Sequence, residues 1–225
     1  RYDVLVPGSP RGKTYLAKAR YGKGEYDDAM TILSDVLAID PAYSEANKYA
    51  AYVMIEKKDY TKAEEFFSKV KPEELNAEDY QKWSKIYVDK KEYTRAYELL
   101  DKALTLDPND ENTYFEYGKA LFAEQKYGDA RVKFGKAIEL GILNVAAYVY
   151  AGICDFYLNE FEKGVEILTK SIELNPNIGS AYLWRANNYA GFTKNAEACA
   201  DYQKYLTFEP NDTFAQEQVK KFCGQ

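Results

Sequence analysis

The chain has 225 residues, 46% of them hydrophobic and 29% charged, which is long and apolar enough for a packed core and unlike a disordered chain. A net charge of −6 argues against nucleic-acid binding, which needs a basic stripe, and no run approaches the roughly 18 apolar residues of a membrane span. With no histidine, the commonest general base and the common zinc-ligand sets are both missing.

A short sequence frame recurs six times along the chain. Its small residue stands at Ala29, Ala63, Ala96, Ala130, Gly164 and Ala198, in steps of 34, 33, 34, 34 and 34 residues. An aromatic residue precedes it by three positions in the first five copies. Prolines close four copies, at Pro41, Pro108, Pro176 and Pro210. A period in this range indicates an array of stacked repeats.

Each copy is predicted to form two helices joined by a polar turn. In the third copy, Tyr80, Ser84 and Tyr87 share one face of the first helix, because they follow helical spacing. The second helix carries Ala96 at its crossing point, where only a small side chain lets two backbones approach, and it stops before Pro108. The predicted repeats span residues 10–43, 44–76, 77–110, 111–144, 145–178 and 179–212.

The two ends differ from the repeats. Residues 213–225 are predicted to form one more helix that caps the open apolar end of the array. Residues 1–9 are either a leader or the tail of an upstream repeat, since Pro7 lies 34 positions before Pro41. The sequence begins at Arg1 rather than at methionine, so we expect a longer gene product.

The register resembles that of the tetratricopeptide repeat, whose pattern is an aromatic residue, Leu-Gly, Tyr, Ala, Phe and Pro. In the fourth copy the matching residues are Tyr114, Tyr117, Gly118, Leu121, Ala130 and Phe134, and in the sixth they are Tyr182, Ala186, Tyr189, Ala198, Tyr202 and Pro210. The resemblance covers about nine-tenths of the chain. It implies an all-α fold, a right-handed superhelical α-solenoid of antiparallel helix pairs.

Four residues depart from this pattern. Lys13 and Arg20 replace aromatic residues in the first copy, Asp155 replaces a usual Tyr, and Arg185 replaces a usual Leu. A charged group is costly to bury unpaired. We therefore expect Asp155 and Arg185 either to be partly exposed, or to form ion pairs or groove contacts.

The three cysteines, Cys154, Cys199 and Cys223, are too few for a disulfide scaffold. They are interpreted as small buried apolar residues. The alternative is a bridge between Cys199 and Cys223 that ties down the last helix.

No arrangement of residues predicts catalysis, a metal site or a cofactor. Acidic pairs such as Asp27-Asp28 and Glu64-Glu65 fall at helix starts or on outward faces, where they complement the helix dipole or face water. The segment Gly22-Lys23-Gly24 lacks the spacing of a phosphate-binding loop. We predict no enzymatic activity, no catalytic residues and no cofactor.

The family resemblance implies that the first helix of each repeat lines a concave groove that binds extended peptides. Lys18, Tyr52, Lys85 and Lys119 occupy equivalent positions there and are expected either to form a ladder or simply to face water. The later repeats add an apolar patch and one amide side chain to this face. The patch is expected to be either an interaction site or part of the core. The patch is Phe115, Phe122, Val149, Ile153, Phe156 and Leu183, and the amide is Asn187.

We therefore predict a protein-interaction scaffold that holds an extended peptide or a helix in this groove. The family's lysine-and-asparagine clamp for chaperone tails does not match, because asparagines would be needed where Lys18 stands and where either Tyr49 or Tyr52 stands. The alternative is a spacer or self-assembly segment of a longer repeat protein; a regulatory repeat region of an enzyme is a third class. The Tyr-rich, Met-poor composition resembles bacterial envelope repeat proteins and favours a periplasmic or envelope location over the cytoplasm.

Overall fold

A computed structural model describes residues 8–224, and every regular element among them is helical. The α-helices are α1 (Pro10–Gly22), α2 (Tyr26–Ile39), α3 (Ser44–Glu56), α4 (Tyr60–Ser68), α5 (Ala77–Asp89), α6 (Tyr93–Leu106), α7 (Glu111–Ala123), α8 (Tyr127–Glu139), α9 (Ala146–Tyr157), α10 (Phe161–Leu174), α11 (Gly179–Gly191), α12 (Asn195–Leu206) and α13 (Thr213–Cys223). One turn of 3-10 helix, Pro72–Glu74, follows α4. None of the helices between residues 8 and 224 is long and apolar enough to cross a bilayer.

The helices pack as consecutive antiparallel pairs, which confirms the predicted all-α repeat fold. They form two units, one containing α1 to α6 and the other α7 to α13. Each pair lies within one of the six proposed repeat ranges. The interpretation of residues 1–9 concerns mainly residues 1–7, which are outside the described part of the chain.

Helix α3 forms the centre of the first unit. Ten consecutive residues, from Ala46 to Ile55, are buried, because α1, α2, α4 and α5 all contact this helix. A helix enclosed on all sides buries polar as well as apolar side chains, and Lys48 is only 7% exposed. Tyr52, the groove residue predicted on this helix, is therefore interior.

In the second unit, glycines sit where helices touch. A Cβ placed on Gly152 of α9 would lie 2.4 Å from the Leu168 side chain of α10, and one on Gly164 of α10 would lie 2.2 Å from the Asn188 side chain of α11. These distances are shorter than a van der Waals contact. Even alanine requires a shift at both positions, and Gly164 is the small residue of the fifth copy of the frame.

Helix α13 packs against α12 and is held at both ends. At its start, the Asp212 side chain accepts hydrogen bonds from the Ala215 N–H at 2.8 Å and from the Tyr205 hydroxyl at 2.9 Å. At its end, the Phe222 ring stacks on the Tyr202 ring with centroids 6.0 Å apart. A disulfide joins Cys199 to Cys223, as in the alternative interpretation, whereas Cys154 is a buried thiol.

The turn between the two helices of each repeat contains one residue with positive φ. These residues are Gly24, Lys58, Lys91, Gln125, Asn159 and Thr193, with φ between 58° and 77°. Left-handed backbone suits glycine and is tolerated by asparagine, whereas a β-branched residue is strained there. The sequence pattern did not reveal this position, because its side chains share no chemistry.

Replacing Thr193 by glycine is expected to raise the free energy of unfolding by about 0.5–1 kcal/mol, because relief of left-handed strain exceeds the entropic cost of glycine. Urea unfolding followed by Trp184 fluorescence measures this change in the second unit. Asn159→Gly is the matched control and should gain less, since asparagine tolerates the conformation. Equal gains at both positions would show that β-branching is not the source of strain.

Candidate functional site

The second unit contains an open cleft between α9 and the start of α11, bordered by the loops that precede these two helices. Its volume is about 560 Å³. Its apolar lining consists of Leu143, Val145, Ala146, Val149, Ile153 and Ile178, with the Tyr150 ring beside them. Val149 and Ile153 form the floor, since each is at most 8% exposed and belongs to a core cluster that includes Leu168 and Ala181. The rim is different, because the Leu143 side chain is 95% exposed.

The residues of the predicted apolar patch fall into different environments. Val149 and Ile153 line the cleft, whereas Phe115 is buried, with its ring centroid 5.8 Å from that of Phe134. Phe122 is half-buried and packs edge-on against Tyr150 at 5.2 Å. The half-buried Phe156 packs against Trp184 at 5.6 Å. The patch is thus partly interior and partly the wall of a cavity.

Leu183 and Asn187, the other predicted residues on α11, are both half-buried. Leu183 packs against the core cluster that contains Tyr182 and Tyr202. The Asn187 carboxamide oxygen accepts a hydrogen bond from the Tyr202 hydroxyl at 2.6 Å. Both side chains therefore already have structural roles in the second unit.

Sequence reasoning missed the loop that forms one wall of the cleft. Leu143, Asn144 and Val145 follow Ile142, which stands where four other repeats have proline. Ile142 is buried, and Gly141 before it has φ of 90°. The absent proline was the available signal that this inter-repeat loop has its own conformation.

The predicted lysines differ in their surroundings. The Lys18 ammonium lies 5.3 Å from the centroid of the Tyr49 ring, and hydrogen bonding to Tyr49 raises the pKa of Lys18. Lys85 lies 3.7 Å from the Glu56 carboxylate, and Lys119 lies 2.9 Å from that of Glu116. Each of these cations already has a partner within its own unit.

Tyr52, the fourth member of the proposed ladder, is buried in a charged network instead. Its hydroxyl donates to Oδ1 of Asp79 at 2.5 Å, while Oδ2 of Asp79 accepts from the Asn76 N–H at 2.7 Å and lies 2.9 Å from the Lys48 ammonium. Lys48 also donates to the Glu74 carbonyl. Burial raises the pKa of Tyr52, with the Asp79 carboxylate adding to the effect, so the hydroxyl stays protonated.

A second, more polar cavity lies in the first unit between α1 and the start of α3. It has a volume of about 350 Å³ and is lined by Arg11, Thr14, Tyr15, Lys18, Tyr43, Glu45 and Tyr49. This lining carries charges of both signs, from Arg11, Lys18 and Glu45, whereas the lining of the cleft between α9 and α11 is uncharged and mainly apolar. We centre the candidate site on that apolar cleft.

The two unusual charges form ion pairs. The Arg131 Nε lies 2.7 Å from Oδ1 of Asp155, whose side chain is fully buried, and this burial raises the pKa of the Asp155 carboxyl. The guanidinium of Arg185 bonds both carboxylate oxygens of Asp201, at 2.7 and 2.8 Å. Of the alternatives left open by the sequence, the ion pair is the one observed at both positions.

Comparisons with known proteins agree with the repeat register. The sequence profile of the tetratricopeptide repeat matches residues 7–82, and that of subunit 3 of the anaphase-promoting complex, or cyclosome, matches residues 56–137. The Hsp70-Hsp90 organizing protein 2 of Arabidopsis thaliana is 29% identical over 119 residues. That alignment covers 53% of this chain and only 21% of the relative, so the chain spans about a fifth of that protein.

Two solved structures share the fold over nearly the whole chain. PilF of Pseudomonas aeruginosa superposes with a TM-score of 0.79 at 17% identity, covering 96% of each chain. A chain of the Cut9-Hcn1 hetero-tetramer of the anaphase-promoting complex superposes with a TM-score of 0.78 at 16% identity, covering 96% of this chain and 43% of that one. The matching profile and the recurring register identify the chain as a tetratricopeptide-repeat protein, and the two solved structures show the same fold.

Proposed function

We propose that the chain is a non-enzymatic scaffold that binds an extended peptide segment of a partner protein in the cleft between α9 and α11. Proteins of this repeat family generally mediate protein–protein interactions. The proposal rests on one observation, an open cavity whose floor is apolar and whose rim exposes a leucine. A preformed, mostly apolar cavity with a few polar groups in its lining is typical of a binding site.

The energetics favour a ligand that covers the rim. Fully burying a leucine side chain contributes about 1.5–3 kcal/mol. If a partner covered Leu143 completely, that contact alone would strengthen binding by roughly 10- to 100-fold. Val149 and Ile153 would add contacts with little loss of conformational entropy, because the core already fixes the positions of their side chains.

The names of two similar proteins support an assembly role. One relative is an organizing protein for two chaperones, and one structural neighbour forms a hetero-tetramer. Neither matching family profile describes an enzyme. The chaperone-tail clamp is still not proposed for this chain, because Tyr52 is buried against Asp79 and its hydroxyl is already bonded.

Filling the cleft is expected to abolish peptide capture. Ser180 is an exposed rim residue of α11, so Ser180→Trp places a ring in the cavity without disturbing the core. Peptides selected from a displayed random library on the unmodified chain should bind this variant at least about tenfold more weakly, as for loss of an interface hot spot. Fluorescence polarisation with the selected peptides measures the change.

Gln203→Trp adds the same ring at an exposed position on α12 and should leave affinity within about twofold. Unchanged affinity for the Ser180 variant would contradict the cleft as the site. Failure to select any peptide, combined with concentration-dependent self-association in light scattering, would favour the spacer or self-assembly alternative.

A further inference from the structure

We propose that the cleft selects an uncharged peptide segment that inserts one bulky apolar side chain between α9 and α11, while Asn144 and Asn175 donate hydrogen bonds to its main-chain carbonyls. This inference rests on the proposed function and specifies the class of ligand.

The lining is uncharged. None of the ten side chains around the cavity is acidic or basic, although 29% of the chain's residues are charged. A lysine or glutamate side chain inserted here would lose its hydration without gaining a counter-charge, which is costly in an apolar pocket. An apolar side chain incurs no such cost and gains contact with Val149 and Ile153.

The floor defines what kind of side chain fits. Val149 and Ile153 rest on Leu168 and Ala181, which are fully buried. The Tyr150 ring is already stacked on Phe134 with centroids 5.3 Å apart. A ligand therefore meets a rigid aliphatic surface, which binds by area buried and discriminates by charge rather than by ring stacking.

The polar rim favours a peptide over a hydrocarbon chain. The carboxamide oxygen of Asn144 accepts from the Ala146 N–H, and that of Asn175 accepts from the Asn177 N–H, both at 3.0 Å. With the oxygens engaged by their own loops, these side chains offer a ligand their amide N–H donors. Peptide carbonyls are acceptors on both sides of a side chain, whereas an acyl chain carries acceptors at one end only.

A host peptide with one variable residue tests the selectivity. The probes are acetylated Gly-Gly-X-Gly-Gly amides with X as Leu, Phe, Lys or Glu. Binding is followed by methyl NMR of Ile153 and Ile178 in the cleft, with Ile86 of the first unit as the reference. The Leu and Phe peptides should shift the cleft methyls with Kd values at least about tenfold below those of the Lys and Glu peptides. Ile86 should not respond.

Two further measurements complete the test. Leu143→Lys, at an exposed position, should make the Glu peptide bind more tightly than it binds the parent, whereas Val132→Lys, at a 69% exposed position on α8, should not. Octanamide, an uncharged acyl probe, titrates the same methyls and should bind more weakly than the Leu peptide. Tighter octanamide binding would overturn the assignment to peptide.

The outcomes separate this inference from the proposed function. If the Lys or Glu peptide shifts the cleft methyls as strongly as the Leu peptide, the cleft binds peptides without the proposed selectivity and only this inference fails. If none of the four peptides moves the cleft methyls, peptide binding at the cleft itself is refuted.

Discussion

Asp79→Ala is expected to lower the free energy of unfolding of the α1–α6 unit by about 3–5 kcal/mol, the usual cost of removing one partner from a buried ion pair. The Asp79 carboxylate is fully buried and accepts from Tyr52 and Asn76 while facing Lys48 at 2.9 Å. Its loss leaves a nearly buried ammonium without its counter-charge. It also leaves a tyrosine hydroxyl and a helix-capping amide without their acceptor.

The two tryptophans make this effect measurable by unit. Trp83 lies in α5 and Trp184 in α11, and the sequence has no others. In urea, the Trp83 transition should move to lower concentration in Asp79→Ala. Glu78→Ala, at the exposed neighbouring position, should change the free energy of unfolding by no more than about 0.5 kcal/mol.

A double variant tests the cause. In Lys48→Met with Asp79→Leu, apolar side chains of similar volume replace both charges, and such replacements of buried pairs are often neutral or stabilising. The double variant should therefore recover the part of the lost free energy that comes from the unpaired Lys48 ammonium, while the Tyr52 hydroxyl and the Asn76 N–H still lack their acceptor. If Asp79→Ala costs less than about 1 kcal/mol, the network does not contribute as its burial indicates.

Reduction of the Cys199–Cys223 bridge is expected to cost about 3 kcal/mol, from the loop-closure entropy of a bridge that spans 24 residues. The loss should concentrate in α13, because Ala215 is the one fully buried residue of that helix and an isolated helix of 11 residues is marginal in water. Amide hydrogen exchange should therefore accelerate strongly in α13 on reduction, and little in α7 to α10.

Thiol counting provides the control for this experiment. Burial raises the pKa of the Cys154 thiol to about 12, so it stays protonated and unreactive in the folded chain. A thiol reagent should find no reactive thiol in the native chain, one in denaturant, and three in denaturant after reduction. Three thiols before reduction would contradict the bridge, and Cys223→Ser should make α13 exchange insensitive to reductant.

The repeat register predicted the helices well because it records which face of each helix packs within its own repeat. Ala96 and Gly164, for example, had to be small wherever two helices cross. Side-chain partners supplied by a neighbouring repeat left no such periodic signal. The pairing of Lys48 with Asp79, and that of Asp155 with Arg131, join residues 31 and 24 positions apart.

The candidate site was predicted less completely for a related reason. Helical spacing identified Val149 and Ile153, yet it could not separate the floor of a cavity from a fully enclosed residue such as Phe115. The loop residues Leu143 and Asn144 belong to no helix face, so the helical periodicity of the sequence could not identify them. Their position depends on a buried Ile142 and on the left-handed Gly141.

The close helix contacts at Gly152 and Gly164 have a consequence for the kinetics of ligand binding. Because the Leu168 side chain of α10 packs directly on Gly152 of α9, and the Asn188 side chain of α11 packs directly on Gly164 of α10, these helices cannot slide past one another without overlap or loss of contact. The cleft between α9 and α11 therefore exists before a ligand arrives, and little conformational entropy is lost on binding. Peptide association should be a single exponential whose rate rises linearly with peptide concentration, with a rate constant of about 10⁵–10⁷ M⁻¹s⁻¹.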